Sequence, residues 1–187
     1  MSVRNSVTHP YRIDWLNDEG EWTPGRLGLG MAPGRRGGSI TGRWERDLEA
    51  DLRRIKEQYQ VHTVASLLGP SEYKAMGIPG YGMRVRGHEM ELLEFPIEDG
   101  GGPTNMGAFD SFVEQILEPL ETGRRVLIHC LAGIGRTGVV ASCVALRGGW
   151  LDGEQVVDVV KQRRRNAVET AAQAEFVQQY AQHVQDG

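Results

Sequence analysis

One stretch of the chain, residues 126–146, limits the choice of fold more than any other. Val126, Leu127 and Ile128 form a short apolar, largely β-branched run that follows the charged pair Arg124-Arg125, which predicts a buried strand. From Thr137 onward, the run from Val139 to Leu146 is too long and too rich in alanine for a neighbouring strand, and predicts a helix. The loop between them opens with Cys130, carries Gly133 and Gly135, and closes on Arg136. A tight loop that runs into a helix N-terminus turns successive backbone N–H groups inward, and the helix dipole adds partial positive charge. The glycines permit positive φ angles and keep side chains out of the bowl. Arg136 supplies a planar fork for two phosphate oxygens. At the mouth of such a bowl a positive field favours the thiolate of Cys130, which makes it a candidate nucleophile for phosphoryl transfer.

Two other readings of these residues stand beside that one. Gly133, Gly135 and Gly138 also satisfy the G-x-G-x-x-G spacing of a dinucleotide site, and Asp158 falls 20 residues after the last of them, where a ribose-binding acid is expected. Asp158, however, lies inside a helical run that starts near Asp152-Gly153-Glu154, and too little chain follows to build the remaining strands. The plainest alternative is that Cys130 is a small buried hydrophobe beside a chance arginine.

The sequence His129-Cys130, five residues, then Arg136-Thr137-Gly138 resembles the signature of the cysteine-dependent protein tyrosine phosphatase superfamily in its dual-specificity form. Pro96-Ile97-Glu98-Asp99-Gly100-Gly101 and the upstream Pro33-Gly34 resemble the kinase-associated phosphatase branch and its bacterial relatives. The resemblance implies hydrolysis in two steps through a cysteinyl-phosphate. Cys130 would be the nucleophile, and Arg136 with the backbone of Leu131, Ala132, Gly133, Ile134 and Gly135 would form the phosphate cradle. Thr137 would stabilise the departing thiolate, and His129 would fix the loop. The pattern from Arg164 through Thr170 to Gln173 resembles the segment that packs against this loop, so Gln173 would line the pocket or orient the hydrolytic water.

A departing alkoxide or phenoxide also needs a proton, so a carboxylic acid must reach the leaving oxygen. Asp99 lies 31 positions before Cys130, a separation like the family's between acid and nucleophile, and the adjacent glycines Gly100 to Gly102 would let its loop close. The bland reading of Asp99 is a turn residue before glycine. Glu98 is the second candidate acid and Asp110 the third.

At 187 residues the chain is long enough for one domain with a real core. The expected division is an N-terminal extension over residues 1–25, with an edge strand within Tyr11 to Leu16, and a catalytic domain over residues 26–184. The net charge of -4 argues against general nucleic-acid binding. Two cysteines give no disulfide framework, and a thiol nucleophile suits a reducing compartment. No secretory apolar core and no membrane-length apolar run is present, so a cytoplasmic protein is expected, with a monomer as default. The segment from His88 to Leu92 fails H-E-x-x-H because residue 92 is leucine, and the five histidines have no metal-ligand spacing; neither metal nor cofactor is expected.

The predicted fold is α/β, a mostly parallel central sheet flanked by helices of the protein tyrosine phosphatase type, with the site at the carboxyl end of the strand from Val126 to His129. Helices are expected over Trp44 to Tyr59, Glu72 to Met76, Met106 to Leu120, Asp152 to Arg165 and from Thr170 to Val184, and strands over Arg26 to Met31, Val61 to Leu68 and Leu92 to Ile97. Arg35 and Arg36 are expected in a mobile basic loop, either solvated or flanking a phosphate site. Cys143 reads as core packing or as a resolving thiol for oxidised Cys130. The expected partner is a phosphorylated protein or peptide. A non-protein phosphate (an RNA 5′-end, a nucleotide or an inositol phosphate) is the second reading, and a phosphate-binding module without turnover the third. Relatives that act on phosphoinositides carry lysines inside the loop, where this chain has Leu131 and Ile134.

Overall fold

The computed structural model describes residues 3–39 and 42–187. The N-terminal third carries β1 (Val3–Arg4), β2 (Asp14–Trp15), β3 (Arg26–Gly30), β4 (Arg36–Ser39), β5 (Gly42–Glu45) and α1 (Leu48–Glu57). Then come β6 (Thr63–Ser66), α2 (Pro70–Met76), α3 (Tyr81–Gly87), β7 (Glu91–Glu94) and α4 (Met106–Glu121). The chain closes with β8 (Arg125–His129), α5 (Gly135–Arg147), α6 (Val156–Arg163) and α7 (Ala171–Asp186).

The main sheet has the order β2-β3-β8-β6-β7, with β8 in the middle. Every neighbouring pair is parallel except β2 with β3, which run antiparallel at the edge. The strand predicted around Ile128 lies at the centre because its side chains suit a strand covered on both faces: Val126, Leu127 and Ile128 are fully buried. The register sets Gly30 and Ser66 on either side of His129, so the three strands end level with the start of the loop. Helix α5 is buried on nearly every side, since Val, Ala, Ser and Gly let it pack against α4, α6 and α7 as well as on β3 and β8. Tyr11, Ile13 and Leu16 from the first 25 residues join the same core. No helix among the described residues is long and apolar enough to cross a membrane.

Several expectations are corrected. Trp44 belongs to a strand: from Gly42 to Leu48 buried and exposed residues alternate, and helix α1 starts only after Asp47, whose carboxylate accepts the Ala50 N–H at 2.7 Å. Of the acidic residues here, Glu45 and Asp47 precede the helix, and Glu49 and Asp51 lie in its first turn. Arg36 lies in β4, paired antiparallel with β5 in a small sheet of order β1-β5-β4, and Arg35 just before it is buried. The basic stretch is thus not a free loop; the tip between β4 and β5, residues 40–41, lies outside the described residues. Helix α3 was not foreseen, because Gly77, Pro79, Gly80, Gly82 and Gly87 break up its short stretch of sequence. Tyr81 and Val85, four apart and both buried, anchor it. Helix α6 begins at Val156, because the Asp152 carboxylate takes the N–H groups of Glu154 and Gln155 in a turn of its own.

One buried ion pair ties the N-terminal part together. Arg46 Nε and Nη2 meet the Asp51 carboxylate at 2.7 and 2.8 Å, and both side chains are 1% exposed. Asp51 also accepts the Gly34 N–H at 2.9 Å and the Ser6 hydroxyl at 2.8 Å. Asp51→Ala would leave a buried guanidinium without its counter-charge, a loss of about 3–5 kcal/mol. Urea unfolding should show a matching fall in the midpoint; an unchanged midpoint would mean that the pair adds nothing.

Candidate active site

The loop Cys130–Ile134 leaves the end of β8 and enters α5 at Gly135. Cys130 is 3% exposed, and its Sγ accepts the Gly133 N–H at 3.2 Å. Gly133 has φ +70, and a Cβ there would stand 2.1 Å from the Gly30 carbonyl oxygen, so only glycine fits. Arg164 holds the loop from outside. Its Nε donates to the Gly133 carbonyl at 2.8 Å and its Nη2 to the Ala132 carbonyl at 3.3 Å, while Nη1 meets Asp14 of β2 at 2.6 Å. With these carbonyls turned outward, the loop amides are free to face the bowl.

His129 lies beneath the loop, fully buried. Burial raises the Tyr81 hydroxyl well above its ordinary pKa, so it stays a donor, and it stands 2.7 Å from His129 Nε2. His129 Nδ1 is then left to donate to the Cys130 carbonyl at 3.4 Å. Burial lowers the His129 pKa to about 4, which keeps the ring neutral and the arrangement fixed.

Arg136 is 1% exposed and meets carboxylates from two other elements. Glu72 of α2 takes both prongs, at 3.0 Å from Nη1 and 2.8 Å from Nη2, and the Ile97 carbonyl accepts from Nη1 at 2.9 Å. Asp99 lies 3.1 Å from Nη2, with its side chain 80% exposed. Burial works to raise the Glu72 pKa, but the hydrogen bond from Arg136, the Gly69 amide and the charge of Arg136 hold it below its ordinary value. For Arg136 burial works downward, and Glu72, Cys130 and Asp99 more than offset it. Arg136 Nε and the Thr137 hydroxyl oxygen are buried without a hydrogen-bond partner among the described residues. Two orphaned donors on adjacent residues suit an anion.

The Asp99 loop rests on the start of α7. The Thr170 hydroxyl donates to the Gly100 carbonyl at 3.0 Å, and Gln173 Nε2 donates to the Gly101 carbonyl at 3.3 Å. Gln173 Oε1 accepts the N–H groups of Glu169 and Thr170, so the buried side chain works as a helix cap and a loop support. It also abuts Gly135 at the start of α5, where a Cβ would stand 2.8 Å from its Nε2.

Asp99, Arg136, Gln173 and Cys130 are thus linked around the loop from Leu131 to Gly135, by the Arg136–Asp99 pair, the Gln173 contacts to Gly101 and Gly135, and the Gly133 N–H on Cys130. Among the described residues no ion pair joins the exposed Glu98 to Arg136. Asp110 faces away, engaged by Tyr180 and Arg147. Cys143 lies eight residues inside α5, on the order of 12 Å along the helix from its start, beyond disulfide reach of the loop. Burial also raises its thiol pKa well above the usual value. Glu72, Tyr81 and Asp14 had no signal in the sequence, because each acts across the fold. Among the described residues no cluster of three or more His, Cys, Asp or Glu could hold a metal ion.

Residues 75–183 match the family model described as "Dual specificity phosphatase, catalytic domain". A rat protein named "Cyclin-dependent kinase inhibitor 3" is 24% identical over 173 residues, covering 91% of this chain and 79% of the relative. Among solved structures, a kinase associated phosphatase with its catalytic-site cysteine replaced by serine superposes with a TM-score of 0.83 at 23% identity, covering 95% of this chain and 98% of that one. A structure named Tk-PTP in the active form gives 0.69 at 20% identity, covering 91% and 96%. At these identities the structures speak for the fold.

The His129 environment has a consequence for stability. The unfolded chain takes up a proton near pH 6.5, whereas the native chain refuses it until about pH 4. The stabilisation is therefore complete above 6.5 and is lost as the pH falls towards about 4. Over that window the parent should lose about 3 kcal/mol more than His129→Asn in urea titrations. Equal losses would contradict a buried neutral imidazole.

Proposed function

The chain belongs to the dual-specificity phosphatase catalytic-domain family and is a cysteine-dependent phosphatase, and we propose that Cys130 is its nucleophile, Arg136 its phosphate clamp and Asp99 its general acid. The observation that carries this reading is the convergence of three elements. The Gly133 N–H donates to Cys130 Sγ in the loop that enters α5, and Arg136 in the first turn of that helix reaches Asp99 at 3.1 Å.

In the first step the Cys130 thiolate attacks phosphorus in line. The S–P bond forms as the bond to the leaving oxygen breaks, and the Asp99 carboxyl gives that oxygen its proton. The loop amides and Arg136 carry the charge on the three equatorial oxygens. In the second step water attacks phosphorus, Asp99 takes its proton, and sulfur leaves as thiolate. Thr137 hydroxyl, buried and otherwise unpartnered among the described residues, is suited to stabilise that thiolate. Glu72 holds the Arg136 fork, and Thr170 with Gln173 supports the Asp99 loop; these are positioning residues.

The substrate is a phosphorylated protein or peptide, as the family implies. Leu131 and Ile134 give the loop no lysine for a highly charged inositol headgroup. The two free cysteines fit a reducing compartment, which favours the cytoplasm, and the net charge of -4 offers no general attraction to nucleic acid.

Leaving-group dependence tests the roles. Cys130→Ser should abolish turnover of every substrate while binding persists. Asp99→Asn should slow phosphopeptide hydrolysis by about 10²–10³-fold, because the leaving oxygen needs a proton. Its effect on p-nitrophenyl phosphate, whose phenolate leaves almost unaided, should be much smaller. Equal losses on both substrates would remove Asp99 from the chemistry, and Glu98→Gln would be the next variant.

A further inference from the structure

Arg35, singled out in the sequence, has no part in the chemistry proposed above, yet it closes a turn whose first residues touch the loop from Cys130 to Arg136: its N–H donates to the Ala32 carbonyl at 3.2 Å. In the turn between β3 and β4, the Ala32 N–H donates to the Leu131 carbonyl at 3.2 Å, and Gly30 and Met31 lie against Gly133. That turn is locked from behind. Gly34, at φ +71, gives its N–H to the buried Asp51 carboxylate at 2.9 Å, and the Arg46 N–H donates to the Arg35 carbonyl at 3.0 Å. The Arg35 side chain therefore leaves a fixed point. It keeps only 9% of its surface exposed, and its guanidinium carbon lies 5.7 Å from the centroid of the Trp44 ring.

The other buried arginines both have carboxylates: Arg46 has Asp51, and Arg136 has Glu72 and Asp99. Half-buried Arg164 has Asp14. Among the described residues Arg35 has none, and no acceptor takes a hydrogen bond from its guanidinium. Burial lowers its pKa, and the charge that acts in the opposite sense is that of Cys130. A partly desolvated cation held on an aromatic ring beside an anion site gains from any anion that arrives there. The cradle for the ester being cleaved is supplied by the loop amides and Arg136 at the start of α5, so Arg35 is spare.

We propose that Arg35, held on Trp44 at the rim of the phosphate loop, forms a second anion subsite that takes a carboxylate or second phosphoryl group carried by the substrate beside the scissile ester. This rests on the reading of Cys130 to Arg136 as the phosphate cradle. In a phosphoprotein the group would be an acidic or phosphorylated residue next to the one hydrolysed. Exposed Arg36, next along β4, adds positive charge to the approach.

The test uses the full chain and phosphotyrosine peptides that differ at the neighbouring position: Gln, Glu or phosphoserine. The parent should favour both anionic peptides over the Gln peptide by about tenfold in kcat/KM, the preference shrinking as salt is raised. Which of the two is preferred tells carboxylate from phosphoryl as the natural occupant. Arg35→Gln should bring the ratio to about one, and Arg35→Lys, which keeps the charge, should restore part of it. No preference in the parent overturns the proposal whether or not any variant folds. So does a ratio unchanged in Arg35→Gln, or a parallel loss on charged and neutral peptides, which would assign Arg35 to the scissile phosphate itself. If aryl phosphates are hydrolysed but no phosphopeptide is, the phosphoprotein reading fails separately. A carboxyphenyl phosphate and its carboxamide analogue then decide the subsite by the same ratio.

Discussion

The site depends first on the direction in which one loop's peptide groups point. For the amides between Leu131 and Arg136 to face a phosphate, the carbonyls between them must face out and still find donors. Arg164 meets that requirement for Ala132 and Gly133, and Asp14 on the edge strand holds Arg164 in turn. The close approach of Gly133 to the Gly30 carbonyl completes the constraint from the sheet side. A strand at the sheet edge, a glycine in the central layer and an arginine after α6 thus act on the same few atoms. The segment that follows Arg164 carries backbone strain, with Val168 at φ +57, a conformation that β-branched residues rarely adopt. Its Val168 amide lies against Gly138 of α5, so the strained turn is wedged under the helix that closes the bowl.

Charge is distributed with the same economy of position. Arg136 is buried, but Glu72, from a helix on the other side of the sheet order, fixes its fork and leaves Nε without a partner among the described residues. Asp99 reaches the same guanidinium while staying largely in solvent, which suits a group that must meet a substrate. His129 contributes no charge: burial keeps it neutral, and Tyr81 and the Cys130 carbonyl use both ring nitrogens. The result is a bowl with fixed donors, one fixed cation and one exposed carboxylate.

How much of this the sequence revealed follows from the range of each interaction. The strand, loop and helix around Cys130 were legible because strand pattern, glycines and arginine are consecutive in the chain. Helix α4 was legible from its apolar spacing, with Phe109, Phe112, Val113 and Ile116 on the buried side. The helix expected from Trp44 starts late because the decisive factor there is pairing of β5 with β4, which a local window does not see. Asp99 was reached from spacing and resemblance. Glu72 was not, since a glutamate in the first turn of α2 also reads as an ordinary helix-start acid. Local chemistry was visible; the partners that hold it in place came from across the fold.

The central claim is that catalysis passes through a covalent bond to Cys130. The most direct measurement is acid quenching of the enzyme during turnover of a phosphopeptide, followed by proteolysis and mass spectrometry of the cysteine peptides. The account predicts one added phosphoryl group on the peptide that contains Cys130, none on the peptide that contains Cys143, and none at all in Cys130→Ser. A phosphoryl group on any other residue of a turning-over enzyme, or sustained turnover in Cys130→Ser, would contradict it.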